Sequence, residues 1–145
     1  MTASADLRSA RLALIEEHLD AENRHDLDAL MATFGHQPGF GLNDLALEGH
    51  AAVRGLYDSF GFGDNGGFSD LACSVVRRHV GDESVTLELI LRGTHTAEWQ
   101  GIPPTGKSFE VPACAIFDFD AENRIAAERV YLDMGLLMRQ LGVGA

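Results

Sequence analysis

The chain has 145 residues, 46% of them hydrophobic and 23% charged, a size and balance that let one domain bury an ordinary core without disulfides or metals. Eleven Lys and Arg stand against twenty-two Asp and Glu, and the resulting net charge of −11 excludes polyanionic partners such as nucleic acid or an anionic membrane surface. No apolar run approaches the roughly 18 residues that span a bilayer, and no basic segment followed by an apolar stretch opens the chain, so the expected location is cytoplasmic.

Along residues 5–23, Leu7, Leu12, Ile15 and Leu19 recur at helical spacing with Arg8, Arg11, Glu16 and Glu17 between them, which predicts an amphipathic first helix. Asp26 is placed to cap a shorter second helix with Leu27, Leu30, Met31 and Phe34 as its buried stripe, and the Gly/Pro-rich residues 35–41 are expected to end it as a loop. A third helix is predicted over residues 50–60, with Val53, Leu56, Tyr57 and Phe60 on one side. Beyond the loop at residues 61–67 the period changes to two-residue alternation. Strands over residues 71–80 and 84–95 flank Gly81-Asp82-Glu83, and strands over 108–119 and 124–132 flank Asp120 to Asn123, giving two antiparallel hairpins. A short helix over residues 134–141 closes the chain. Helices first and antiparallel strands afterwards is an α+β order, with helices covering one face of a curved sheet.

Gly101-Ile102-Pro103-Pro104-Thr105-Gly106-Lys107-Ser108 satisfies the phosphate-loop pattern G-x-x-x-x-G-K-S/T, but its chemistry opposes that function. Such a loop offers successive backbone N–H groups to phosphate and runs into a helix, whereas Pro103 and Pro104 have no N–H and the β-rich residues 109–117 follow. The segment reads as loop then strand, and no nucleotide is expected there. Cys73 and Cys114 have no short metal-ligand spacing and are expected to be buried thiols. The histidines show no such spacing either, and His18 with Glu22 reads as an ordinary helical pair, so no metal is expected.

The run Gly93-Thr94-His95-Thr96-Ala97-Glu98-Trp99-Gln100-Gly101-Ile102-Pro103-Pro104-Thr105-Gly106-Lys107, then Glu128-Arg129-Val130-Tyr131-Leu132-Asp133 and Leu136 to Gly142, resembles the SnoaL-like polyketide cyclase (ester cyclase) family of the NTF2-like superfamily. Arg24-His25-Asp26-Leu27-Asp28-Ala29-Leu30 and Leu47-Glu48-Gly49-His50 are similar to the remainder of its pattern, so one SnoaL-like domain spans residues 1–145. The resemblance implies a cone with a pocket between sheet and helices, no cofactor, and an aspartate acid/base at the position of Asp133. One departure is Ala97, where the pattern H-T-G-x-F/W has glycine, and it narrows what can be said of the substrate.

Alternation places Asp133 on the same side of the last strand as Arg129 and Tyr131, opposite Val130 and Leu132. A carboxylate in an apolar pocket has a raised pKa and can shuttle a proton, although Asp133 also suits the cap of the following helix. His95 ends its strand on the side of Val85, Leu87, Leu89 and Leu91, where it serves either as a proton shuttle or as a fastener for the loop that follows. Trp99 can wall a ligand pocket or anchor that loop. Tyr131 and Arg129 can bind substrate oxygens, Arg129 equally an acidic neighbour, and the resemblance puts His36, Phe40 and Asn43 near the pocket mouth.

Two readings follow. The first is a cofactor-independent cyclase or isomerase that uses aspartate acid/base chemistry on a small, largely apolar carbonyl compound, typically in aldol-type ring closure. The alternative is a non-catalytic ligand-binding or dimerisation domain on the same scaffold. A homodimer through the outer sheet face is expected in either case, because Val130 and Leu132 are too apolar for open solvent.

Overall fold

The structure is a computed structural model and describes residues 4–144. Helix α1 (Ala5–Arg24) begins at Ser4, whose hydroxyl accepts the Leu7 N–H at 3.1 Å, and ends at His25 in the left-handed conformation with φ 58°. Helix α2 (Leu27–Met31) is capped by Asp26, which accepts the Ala29 N–H at 3.0 Å.

The chain then departs from its expected course. Phe34 opens a strand, β1 (Phe34–Leu42), where a loop was expected, and a short β2 (Leu45–Glu48) returns along it. Glycine and proline hid this strand, since both are depleted in sheets and favoured in turns. It forms nonetheless because Phe34, Pro38, Phe40 and Leu42 are buried while His36 and Gln37 face solvent. A register shift between Phe34 and Gly39 absorbs the irregular stretch around the proline.

Helix α3 (His50–Phe60) is followed by a tight loop and then by β3 (Ala72–Val80), β4 (Ser84–Thr94), β5 (Ser108–Phe119), β6 (Ile125–Leu132) and α4 (Met134–Gln140), close to the bounds expected from alternation. Two glycines hold the loop in place. Gly61 has φ +131°, and a Cβ there would sit 2.1 Å from the Phe68 carbonyl oxygen. A Cβ at Gly67 would meet Trp99 at 2.6 Å. The former phosphate-loop suspect, Gly101 to Ser108, runs directly into strand β5 rather than into a helix.

The sheet has six strands in the order β2-β1-β6-β5-β4-β3. All neighbours are antiparallel except β1 and β6, which run parallel. Register aligns the inner face in rows: Phe40, Glu128, Phe117 and Val85 lie side by side across four strands, and Leu42, Val130, Ala115 and Leu87 form the next row. Helices α1 and α3 cover these rows, producing the α+β cone that the sequence implies. Burial of each large apolar side chain in it contributes roughly 1.5–3 kcal/mol.

One expectation is reversed by this register. Val130 and Leu132 belong to the inner face, and Arg129, Tyr131 and Asp133 to the outer one. The argument for a dimer from an uncovered Val130 and Leu132 therefore falls away. Cys73 and Cys114 are both free and only half-buried.

Candidate active site

Between the inner face of the sheet and helices α1 and α3 lies a cavity of about 50 Å³. Phe40, Leu42, Phe60, Phe62, Leu89 and Leu91 make most of its wall, and the partly exposed Leu56, Val130 and Leu132 also line it. Only a few of its lining residues bring polar atoms: Glu22, Tyr57, Glu128 and the thiol of Cys73.

Each arrives from a different element. Glu128 shares its face of β6 with Val130 and Leu132 and is 4% exposed. Glu22 sits one helical turn after His18 on α1, and both continue the buried stripe of Leu14, Ile15 and Leu19. Tyr57 comes from the middle of α3 and Cys73 from β3.

His18 ties the group together from behind the cavity wall. Its Nε2 lies 2.8 Å from Glu22 Oε1 and 3.1 Å from Glu128 Oε1. Its Nδ1 lies 2.8 Å from Thr33 Oγ1, and the Thr33 hydroxyl donates to the Leu30 carbonyl at 2.7 Å. With its proton committed, Thr33 can only accept from His18, so Nδ1 carries a hydrogen and Nε2 is the nitrogen offered to the two carboxylates. Edge contacts from Phe34 and Phe117, at 5.5 and 5.2 Å between centroids, enclose the ring. On the cavity side, Tyr57 donates its hydroxyl hydrogen to Glu128 Oε1 in a close contact.

Buried charge makes the protonation of this group unusual. Burial alone would push the His18 imidazole down, but the charges and hydrogen bonds of Glu128 and Glu22 outweigh it and raise its pKa to about 10. Burial pushes the Glu22 carboxyl up, opposed by His18 and assisted by Glu128. Tyr57 is pushed well above the usual phenol range by burial and the Glu128 charge, and the Cys73 thiol is pushed up by burial and Glu22. An imidazolium with one carboxylate and one carboxylic acid leaves the group without net charge.

Of the residues singled out from the sequence, Phe40 lines this cavity, with its ring 5.2 Å from that of Tyr57. The others lie elsewhere. Asp133 is exposed and caps α4, accepting the Leu136 N–H at 2.9 Å. Its expected orientation into the pocket was inverted because alternation groups residues by side without saying which side the helices cover. Tyr131 is 47% exposed on the same outer face, and Arg129 pairs with Asp118 there. His36 projects into solvent 3.9 Å from Glu122, and Asn43 uses its side chain to accept the Leu132 N–H at 3.1 Å.

His95 does face inward, but against Phe68 and Thr105 rather than the cavity. The Thr105 N–H donates to its Nδ1 at 3.2 Å, which is the loop fastening allowed for above. Trp99 is 1% exposed, packs on Phe60 and Phe68 at 5.3 and 5.2 Å, and anchors the same loop.

His18 and Glu22, expected to be an ordinary surface pair on one helix, are instead buried, because they fall on the face of α1 that packs on the sheet, and Tyr57 and Glu128 were not singled out as site residues from the sequence. A signal existed for each: His18 and Glu22 fall on the apolar stripe of α1, Tyr57 on that of α3, and Glu128 alternates with Val130 and Leu132.

A family model described as SnoaL-like polyketide cyclase matches residues 23–141. Among solved structures, a putative SnoaL-like polyketide cyclase from Jannaschia sp. CCS1 is 17% identical, covers 100% of both chains and superposes with a TM-score of 0.84. AclR, a putative hydroxylase from Streptomyces galilaeus, is 22% identical over 94% of this chain and 87% of its own, with a TM-score of 0.80. IdmH, a putative polyketide cyclase from Streptomyces antibioticus, is 22% identical over 92% and 99% of the two chains, with a TM-score of 0.73. No curated protein sequence matches. Such superpositions establish the shared NTF2-like fold, and the family-model match over most of the chain establishes more: this protein belongs to the SnoaL-like polyketide cyclase family.

Proposed function

We propose that the chain is an acid/base enzyme that enolises a small, neutral, largely apolar carbonyl compound, the step that opens aldol-type ring closure. The observation that carries this reading is the convergence of Glu128, Glu22 and Tyr57 on one end of an otherwise apolar cavity. Paired buried carboxyls are costly to desolvate, and proton transfer gives them a role that holding an apolar ligand alone does not.

In this reading Glu128 takes the proton from the carbon next to the carbonyl. The C–H electron pair moves into the new C=C bond, and the carbonyl oxygen takes the proton held by Glu22. Tyr57 and His18 position Glu128, since both hydrogen-bond its Oε1. The step uses only side chains of this chain. Asp133, outside the cavity, has no part in it.

Charge and size restrict the substrate. Two carboxyls in an apolar wall disfavour an anion. At about 50 Å³ the cavity is roughly a third of the ~150 Å³ one that accepts benzene. A ring-sized compound therefore enters only as side chains of the cavity wall move aside.

The test is deuterium uptake from D₂O at the α-carbon of short-chain 1,3-diketones and cyclic ketones, followed by NMR in the presence of EDTA. Wild-type protein should accelerate uptake above buffer, and Glu128→Gln should reduce the enzymatic rate on the order of 10²–10⁴-fold. No acceleration by wild type, or equal rates for the two proteins, rejects the reading.

A further inference from the structure

We propose that His18, Glu22 and Glu128 form a binding site for one divalent transition-metal ion, of which Zn²⁺ is the best-suited example. This goes beyond the acid/base reading, because it concerns an ion that binds whether or not any carbonyl compound is turned over.

The donor set is the first argument. One imidazole nitrogen and two carboxylate oxygens, from α1 and β6, lie within 4.8 Å of one another. Nitrogen with oxygen suits zinc, manganese, iron or cobalt, while an all-oxygen set would suit magnesium or calcium. Bonds of roughly 2.0–2.2 Å in a tetrahedral site put ligand atoms about 3.3–3.5 Å apart. The two histidine–carboxylate distances here are 2.8 and 3.1 Å, so each of these two pairs needs to open by only about 0.2–0.7 Å.

The second argument is the orientation of His18. Its Nδ1–H is held by Thr33, which in turn is held by the Leu30 carbonyl. A histidine that ligates through one nitrogen almost always donates the other N–H to a neighbour in this way, and the neighbour fixes the ring and its tautomer. Here that support exists and directs Nε2 at the two carboxylates.

Charge is the third. His18, Glu22 and Glu128 are all at most 4% exposed, so net charge at this point is strongly disfavoured. Two carboxylates with a neutral imidazole carry −2, which a single divalent cation cancels. Binding therefore displaces the protons that the three groups otherwise share. It leaves the cavity side, with the Tyr57 hydroxyl, as the open coordination position.

The experiment titrates Co²⁺ and Zn²⁺ into EDTA-stripped, dialysed protein. Wild type is expected to bind one equivalent per chain with micromolar or tighter affinity, to give the visible Co²⁺ band of four- or five-coordination, and to melt at a higher temperature with Zn²⁺. Glu22→Gln, the mildest ligand change, should weaken binding at least about tenfold, since loss of an outer-shell partner alone costs roughly 10–100-fold. His79→Ala removes the exposed His79–Glu88 pair and should leave binding unchanged. Substoichiometric binding, a purely octahedral Co²⁺ spectrum, unchanged affinity in Glu22→Gln or lost affinity in His79→Ala overturns the proposal. The wild-type stoichiometry, spectrum and melt decide the matter even if Glu22→Gln fails to fold. Because deuterium uptake is measured in EDTA, that reading and this one can fail independently.

Discussion

The two faces of β6 carry similar residues into opposite circumstances. On the outer face Arg129 and Asp118 form an ion pair at 38% and 40% side-chain exposure, beside Tyr131. On the inner face Glu128 meets His18 and Tyr57 at no more than 5% side-chain exposure. Water screens the first pair, so its charges are cheap to keep and cheap to lose. The second is held where any uncompensated charge is expensive, and where a proton can be moved between neighbours at small cost. Position relative to the helices, rather than residue type, separates a surface ion pair from a candidate acid/base centre.

The sharpest way to break this comparison is to delete one carboxylate from each face. Glu128→Ala leaves the buried imidazolium and Glu22 without their partner and should cost about 3–5 kcal/mol. Asp118→Ala should cost about 1 kcal/mol or less. Urea melts of the two variants measure the difference, and similar losses would mean that the inner cluster is solvated after all.

A smaller change isolates one hydrogen bond. Tyr57→Phe keeps the ring that packs on Phe40 and Phe62 but removes the hydroxyl donated to Glu128, so stability should fall by about 1–3 kcal/mol. Deuterium uptake should fall with it. Tyr131→Phe, on the other face, should change neither.

Proton linkage gives a third contrast, with a definite sign. His18 faces Glu22 on its own helix, Tyr57 from α3, Glu128 from β6 and, through Glu22, Cys73 from β3. Its pKa rises from 6.5 to about 10 on folding. The stability it contributes is therefore complete below pH 6.5 and is lost as pH climbs toward 10. Glu22, also raised, acts in the same direction once pH exceeds its unfolded value of 4.5. In EDTA the folded protein should become less stable as pH rises from about 6.5 to about 10, and Glu128→Gln should flatten that slope. A rising or level profile in wild type would sink the assignment of His18 as imidazolium.

Much of the architecture was legible in sequence because strong periodicity leaves little choice. Helix α3, both hairpins and α4 come from clean apolar spacing, and the paired prolines at 103 and 104 removed the nucleotide-loop reading. β1 was missed because Pro38 and its glycines are turn residues by local preference, and only pairing with β6 makes them a strand. The site was half-legible for a related reason. His18, Glu22 and Glu128 are polar residues on apolar stripes, a local signal, but their meeting point is set by the packing of α1 against the sheet. Search by short ligand spacing could not find donors 110 residues apart. Conversely, the C-terminal motif drew attention to Asp133, whose face could not be chosen without knowing where α1 and α3 lie.

The smallest expected effect belongs to that residue, and it decides between the two faces most directly. The Asp133 carboxylate accepts the Leu136 N–H at 2.9 Å, a cap that an asparagine can also make. Asp133→Asn should therefore change stability by a few tenths of a kcal/mol, and Asp133→Ala by about 1 kcal/mol. Neither should slow deuterium uptake, because the group lies on the solvent side of a strand whose opposite side lines the cavity. The comparison breaks if Asp133→Asn abolishes uptake while Glu128→Gln does not. Turnover would then require β6 or α4 to reorganise so that the outer carboxylate enters the cavity. If instead Asp133→Asn is silent and Glu128→Gln is not, proton transfer belongs to the buried face, and the aspartate serves the end of the helix.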